Sequence, residues 1–141
     1  MEYRHKVQYY ETDKMGITHH SNYIRWMEEA RVEFLSFISW PYTRLEEENI
    51  VSPVLSIDIK YNAPTTFSDV VIIDVGVKSL GFSRMSVSYT MKKEDGTLVS
   101  QASSGHGFLN REGKPVNIKR DYPLFYEKLS SFLDKSENIV R

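Results

Sequence analysis

Between Ser21 and Ser39 the chain carries apolar residues around more of a helix than a protein surface tolerates, and whatever fold forms must enclose that helix. Tyr23, Met27, Ala30, Phe34 and Phe37 follow one another at steps of four, three, four and three, which puts them on one stripe. Ile24, Trp26, Leu35 and Ile38 widen the stripe, leaving Arg25, Glu28, Glu29, Arg31 and Glu33 for water or a partner. Pro41 disfavours helical geometry at Trp40, so the chain turns away there. The enclosing surface has to come from strands. Leu55, Ile57, Ile59 and Tyr61 alternate with polar residues, as do Val71, Ile73, Val75 and Val77, and then Met85, Val87, Tyr89 and Met91. Period two with one apolar face is the pattern of antiparallel strands covered on one side. Asp95-Gly96 supplies a hairpin turn into another strand at about Thr97 to Leu109. A first strand is expected over Tyr3 to Tyr10, closed by the polar run Glu11 to Gly16. The fold class is therefore α+β, a five-stranded antiparallel sheet wrapped around a long central helix. A short amphipathic helix is expected over Leu124 to Leu133.

Nothing divides these 141 residues by repeat, low-complexity tract or linker, so they form one domain, 1–141, with a tail expected to fray from about Asp134. Lysine and arginine number 18 against 19 acids, so no net field draws the molecule to nucleic acid or an anionic membrane. Nine tyrosines and seven phenylalanines could stack bases, but no basic stripe accompanies them. The absence of cysteine excludes disulfides, thiolate metal sites and cysteine nucleophiles. The first residues lack the apolar core of a signal peptide, and no run is long enough to span a membrane. A soluble, cytoplasmic protein is expected.

Reactive side chains concentrate between the first strand and the helix, from Asp13 to Tyr23. A helix N-terminus offers unpaired N–H donors and partial positive charge, a place for a developing oxyanion. A carboxylate beside it could attack a carbonyl or activate water. Aspartate followed three residues later by glycine is also a common turn signature, and from spacing alone the turn is the stronger reading of Asp13 and Gly16. His19 and His20 serve equally as capping residues, and no third ligand follows at zinc-site spacing, so no metal is expected. Ser103-Ser104-Gly105-His106-Gly107 lies on an alternating strand, where small residues permit close packing, and no Gly-x-Ser-x-Gly elbow occurs. Phosphate loops and dinucleotide fingerprints are absent.

Tyr9-Tyr10-Glu11-Thr12-Asp13-Lys14-Met15-Gly16-Ile17-Thr18-His19-His20-Ser21-Asn22-Tyr23, followed by Glu28-Glu29-Ala30-Arg31, resembles the 4-hydroxybenzoyl-CoA thioesterase family, and looks closest to its acyl-CoA thioesterase branch with the YbgC-like proteins. Tyr61-Asn62-Ala63-Pro64, Phe67-Ser68-Asp69 and the Asp95-Gly96 hairpin extend the resemblance over nearly the whole chain. It implies a hotdog fold, pairing of subunits sheet to sheet as a dimer or tetramer, and active sites at that interface. It implies acyl-CoA thioester hydrolysis, with coenzyme A as part of the substrate and no cofactor. Asp13 would be nucleophile or general base, and the His20 backbone N–H the oxyanion donor. Gly16 would let the loop approach the substrate, and His20 and Tyr23 side chains would touch the acyl group. Lys60, Ser83 and Arg84 are candidates for the phosphates and pantetheine, although a solvated face explains Lys60 and Arg84 equally well. Two rivals share the scaffold. A hotdog dehydratase would place its histidine and acid differently, and a binding or regulatory module for acyl-CoA or acyl-carrier protein would be expected to lack Asp13.

Overall fold

The computed structural model describes residues 1–133; the tail expected to fray lies outside the described residues. The elements in order are β1 (Glu2–Lys6), α1 (Ser21–Phe37), α2 (Tyr42–Glu47), β2 (Val54–Tyr61), β3 (Val70–Leu80), β4 (Arg84–Lys93), β5 (Leu98–Gly107), α3 (Ile118–Asp121) and α4 (Pro123–Ser130). The five strands form one sheet in the order β1-β3-β4-β5-β2, with every neighbouring pair antiparallel. The sheet packs around α1, which is the hotdog arrangement expected.

Helix α1 ends through its own chemistry. Ser39 takes a left-handed conformation (φ 69) and Trp40 N–H reaches back to Leu35 O at 2.9 Å, so the last carbonyls are satisfied before Pro41. Its inner face carries Tyr23, Trp26, Met27, Ala30 and Phe34, all buried against Val71, Ile73, Val87, Tyr89 and Met91 of the sheet. Burial of each large apolar side chain is worth about 1.5–3 kcal/mol. The Asp-Gly hairpin between β4 and β5 forms as expected: Gly96 has φ 90, and Asp95 Oδ1 accepts the Thr97 N–H at 2.9 Å.

Several expectations are corrected. The first strand stops at Lys6, and Tyr9–Glu11 coils into a single 3-10 turn. Phe37 is 63 % exposed, because α1 ends there and Ile38 folds under it to fill the core instead. Ile24 is also exposed, whereas Arg31, assigned to water, is buried and donates to the Tyr42 hydroxyl of α2. The largest discrepancy is β2. Its apolar residues were expected to face the core, yet Leu55, Ile57 and Tyr61 are 54, 41 and 49 % exposed. Strand β2 lies at the far edge beside β5, where the start of α1 meets only its Tyr61 end. Helices α2 and α3 had no distinct periodic signal.

The serine- and glycine-rich run lies on β5 and alternates as expected. Gly105 faces Ser56 on the outer side, where a Cβ would come within 2.5 Å of Ser56 Oγ. Ser104 and His106 point inward and are buried: Tyr89 Oη lies 2.8 Å from Ser104 Oγ, which lies 2.6 Å from His106 Nε2.

Candidate active site

The segment between β1 and α1 forms a small hairpin outside the sheet. Thr12 pairs with Thr18, and Ile17 with Thr66 of the loop before β3. Asp13 N–H donates to Ile17 O at 2.8 Å, and Gly16 N–H to Asp13 O at 3.0 Å. Asp13 Oδ1 accepts the Met15 N–H at 2.8 Å, the local bond that makes aspartate a turn former. Asp13 thus makes the turn its spacing suggested, and Oδ2 has no partner among the described residues. Gly16 has φ 79, and a Cβ there would meet nothing within 4 Å. Backbone conformation, rather than crowding within the chain, is what demands glycine.

The hairpin delivers the chain to the N-terminus of α1. His20 occupies the cap position without a side-chain capping bond, and the bond is made by His19, whose Nδ1 lies 2.8 Å from Ser21 Oγ and accepts the Ser21 N–H at 3.3 Å. Asn22 N–H is taken by His19 O and Tyr23 N–H by His20 O. His20 N–H is left without an acceptor among the described residues.

Tyr23 and Tyr61 stand edge to face with ring centroids 5.2 Å apart, as aromatic pairs prefer. Tyr61 Oη donates to His20 O at 3.3 Å, tying the end of β2 to the helix start. Burial pushes the Tyr23 hydroxyl up from its usual range, against the effect of its bond to Thr65 Oγ1 at 3.2 Å. These side chains, with Ile17, Thr18 and Pro64, border a largely apolar cleft of about 290 Å³. Asp13 does not line that cleft; the Ile17 arm of its hairpin does.

The other candidate residues are dispersed. Lys60 is exposed beside Tyr61, with its side chain on the opposite face of β2. Ser83 and Arg84 sit at the start of β4 beside Gly107 and Phe108, level with the Val54 end of β2. Seven residues of strand separate that end from Tyr61, about 23 Å at a rise of about 3.3 Å per residue. Within one chain, Arg84 and Asp13 therefore belong to different places.

Sequence reasoning missed Glu11, which is 3 % exposed. Its carboxylate accepts from Gln8 N–H at 2.8 Å and Trp26 Nε1–H at 2.7 Å, and lies 2.8 Å from His5 Nε2. Burial works to raise this carboxyl, and the bonds from Gln8, His5 and Trp26 outweigh it, holding the group below the usual carboxylate range. The only available signal was an acid two residues before Asp13, and periodicity does not reveal which acids a loop buries. Among the described residues, no three histidines or acids stand close enough to hold a metal ion, and no helix is long and apolar enough to cross a membrane.

Residues 7–132 match the family model of the thioesterase-like superfamily. A putative esterase of Aquifex aeolicus is 36% identical over 119 residues, covering 84% of this chain and 91% of that protein. A putative acyl-CoA thioesterase, YneP of Bacillus subtilis, is 29% identical over 119 residues, covering 84% of this chain and 86% of its own. Among solved structures, a DHNA-CoA thioesterase from Staphylococcus aureus superposes with a TM-score of 0.85 at 27% identity, over 92% of this chain and 88% of that one. With its sheet wrapped around α1 and the matched region running from the end of β1 through α4, this chain belongs to the thioesterase-like superfamily.

Proposed function

We propose that the protein hydrolyses an acyl-CoA thioester to the free acid and CoA, in the cytoplasm and without a cofactor. The observation that carries this reading is the His20 N–H at the head of α1, without an acceptor among the described residues, on a residue that follows the Asp13 hairpin and lines the apolar cleft. The acyl group lies along Tyr23 and Tyr61, and its carbonyl oxygen accepts the His20 N–H. Asp13 either removes a proton from water as it adds to the carbonyl carbon, or adds itself to give an anhydride that water then opens. In both routes the carbon–sulfur bond breaks, and the thiolate leaves with the electron pair and gains a proton from solvent. Negative charge gathers on the carbonyl oxygen at the positive end of α1, where losing one such donor typically costs about 2.7–4 kcal/mol.

A dimer completes the arrangement. β2 is a sheet edge with unpaired backbone and exposed Leu55, Ile57 and Tyr61, which in a monomer invites pairing with another strand. A second copy added antiparallel along β2 sets its Val54 end, with Ser83 and Arg84, beside the Tyr61 end of the first. That supplies the site with a cation for the CoA phosphates that its own chain holds about 23 Å away.

The test is release of free CoA from a panel of acyl-CoA esters, read with a thiol reagent; the chain has no cysteine to raise the background. Turnover is expected in the wild type and falls to a small residual rate in Asp13→Asn with folding and assembly unchanged. Full activity in Asp13→Asn rejects the role of Asp13. Binding of acyl-CoA without turnover by the wild type favours a binding module.

A further inference from the structure

Resting on the proposed role of Asp13, we infer that Glu11 is a positioning residue that holds the Asp13 hairpin against the N-terminus of α1. Glu11 joins three parts of the molecule. Through its carboxylate it is bound to α1 by Trp26 and to β1 by His5, with Gln8 N–H closing the turn. Its carbonyl oxygen accepts from His19 N–H at 2.8 Å and from Asn22 Nδ2 at 3.0 Å. The residue two before the reactive acid is thus bonded to the residue just before the oxyanion donor, and both are referred to the core of the domain.

The carboxylate cannot be replaced by a neutral isostere without a conflict. Trp26 Nε1–H only donates, as does Gln8 N–H, so both oxygens of residue 11 must accept. Gln8 and His5 share Oε1, and Trp26 takes Oε2. A glutamine would turn its NH2 toward one of these donors. His5 is itself fixed: its other ring nitrogen lies 3.0 Å from Glu29 Oε2, and its ring packs on Trp26 at 4.7 Å between centroids. The carboxylate itself is 3 % exposed and has a partner on each oxygen, so it is held from several elements at once. A rigid support matters here because displacement of a reacting group by about 1 Å can cost about 100-fold in rate.

The experiment is a double-mutant cycle on CoA release. Glu11→Gln is expected to lower kcat about 10- to 100-fold with KM within about two-fold, because the acid is displaced while the apolar cleft is intact. In the Asp13→Asn background the same change should have no further effect, since only the placement of the acid is lost. His5→Phe keeps a ring on Trp26 and removes the bond to Glu11, so it should repeat the pattern more weakly even if Glu11→Gln folds poorly. Wild-type kcat in Glu11→Gln or His5→Phe, beside an Asp13→Asn reduced to its residual rate, overturns the positioning role and leaves the proposed function standing. A loss that multiplies with Asp13→Asn shows a general structural role and overturns it too. Full activity in Asp13→Asn overturns both.

Discussion

His106 should make the protein acid-labile well above the range of its carboxylates. The side chain is buried at 1 % exposure, with Nε2 on Ser104 and Nδ1 without a partner among the described residues. Burial, and secondarily the Arg31 guanidinium nearby, lower its pKa from 6.5 to about 4. The folded state therefore keeps the imidazole neutral where the unfolded chain already binds a proton. Stability is full above pH 6.5 and falls as pH drops toward 4, because the unfolded state holds more protons in that window. A depression of this size corresponds to about 2 kcal/mol lost between pH 7 and pH 5, and about 3 kcal/mol by pH 4. Set against a typical total of about 5–15 kcal/mol, this is a large share. The assay is urea unfolding at fixed protein concentration from pH 8 to pH 4.5, comparing wild type with His106→Phe. The phenyl ring fills similar space, does not titrate, and leaves Ser104 bonded to Tyr89. The wild-type midpoint should fall by about 0.7–2 M urea between pH 7 and pH 5 for a typical urea slope of about 1–3 kcal/mol per M, and the variant's by much less. Parallel curves for the two proteins, or a His106 resonance that titrates near 6.5, would refute the reasoning.

Gly16→Ala and Gly113→Ala place a Cβ on two residues of nearly equal positive φ, 79 and 82, with open space around both. Each should cost about 1–2 kcal/mol in thermal unfolding, but only Gly16→Ala, in the Asp13 turn, should also lower kcat; equal effects on kcat would sever the link between that turn and activity. Ile57→Asp puts a charge on the exposed apolar edge of β2 and should shift the proposed dimer to monomer in analytical ultracentrifugation, whereas a dimer unchanged by it would refute pairing along β2.

Local pattern carried the order of elements because period 3.6 and period 2 are imposed by the backbone itself. The Asp95-Gly96 hairpin and the start of α1 near Ser21 were legible for the same reason, each being decided by a few adjacent residues, while the end of α1, expected at about Ser39, falls two residues earlier at Phe37. Arg31, Glu11 and His106 were not legible. Arg31 is buried against Tyr42, 11 positions away, Glu11 against Trp26, 15 positions away, and His106 beside Met85 of the neighbouring strand, and periodicity announces none of these burials.

The sequence by itself determined that an apolar helix must be wrapped by an antiparallel sheet, and that an acid in a turn precedes the head of that helix. Only the tertiary structure decided which strand became the edge. The alternation of β2 is the same as that of β3 and β4, yet β3 and β4 lie in the middle of the sheet and β2 does not. Periodicity states that a face is apolar; what covers the face depends on strand order, and strand order is set by contacts between residues far apart in the chain. Here that left an apolar edge open beside Tyr61 and His20, and put Arg84, at the start of β4, level with the opposite, Val54 end of β2.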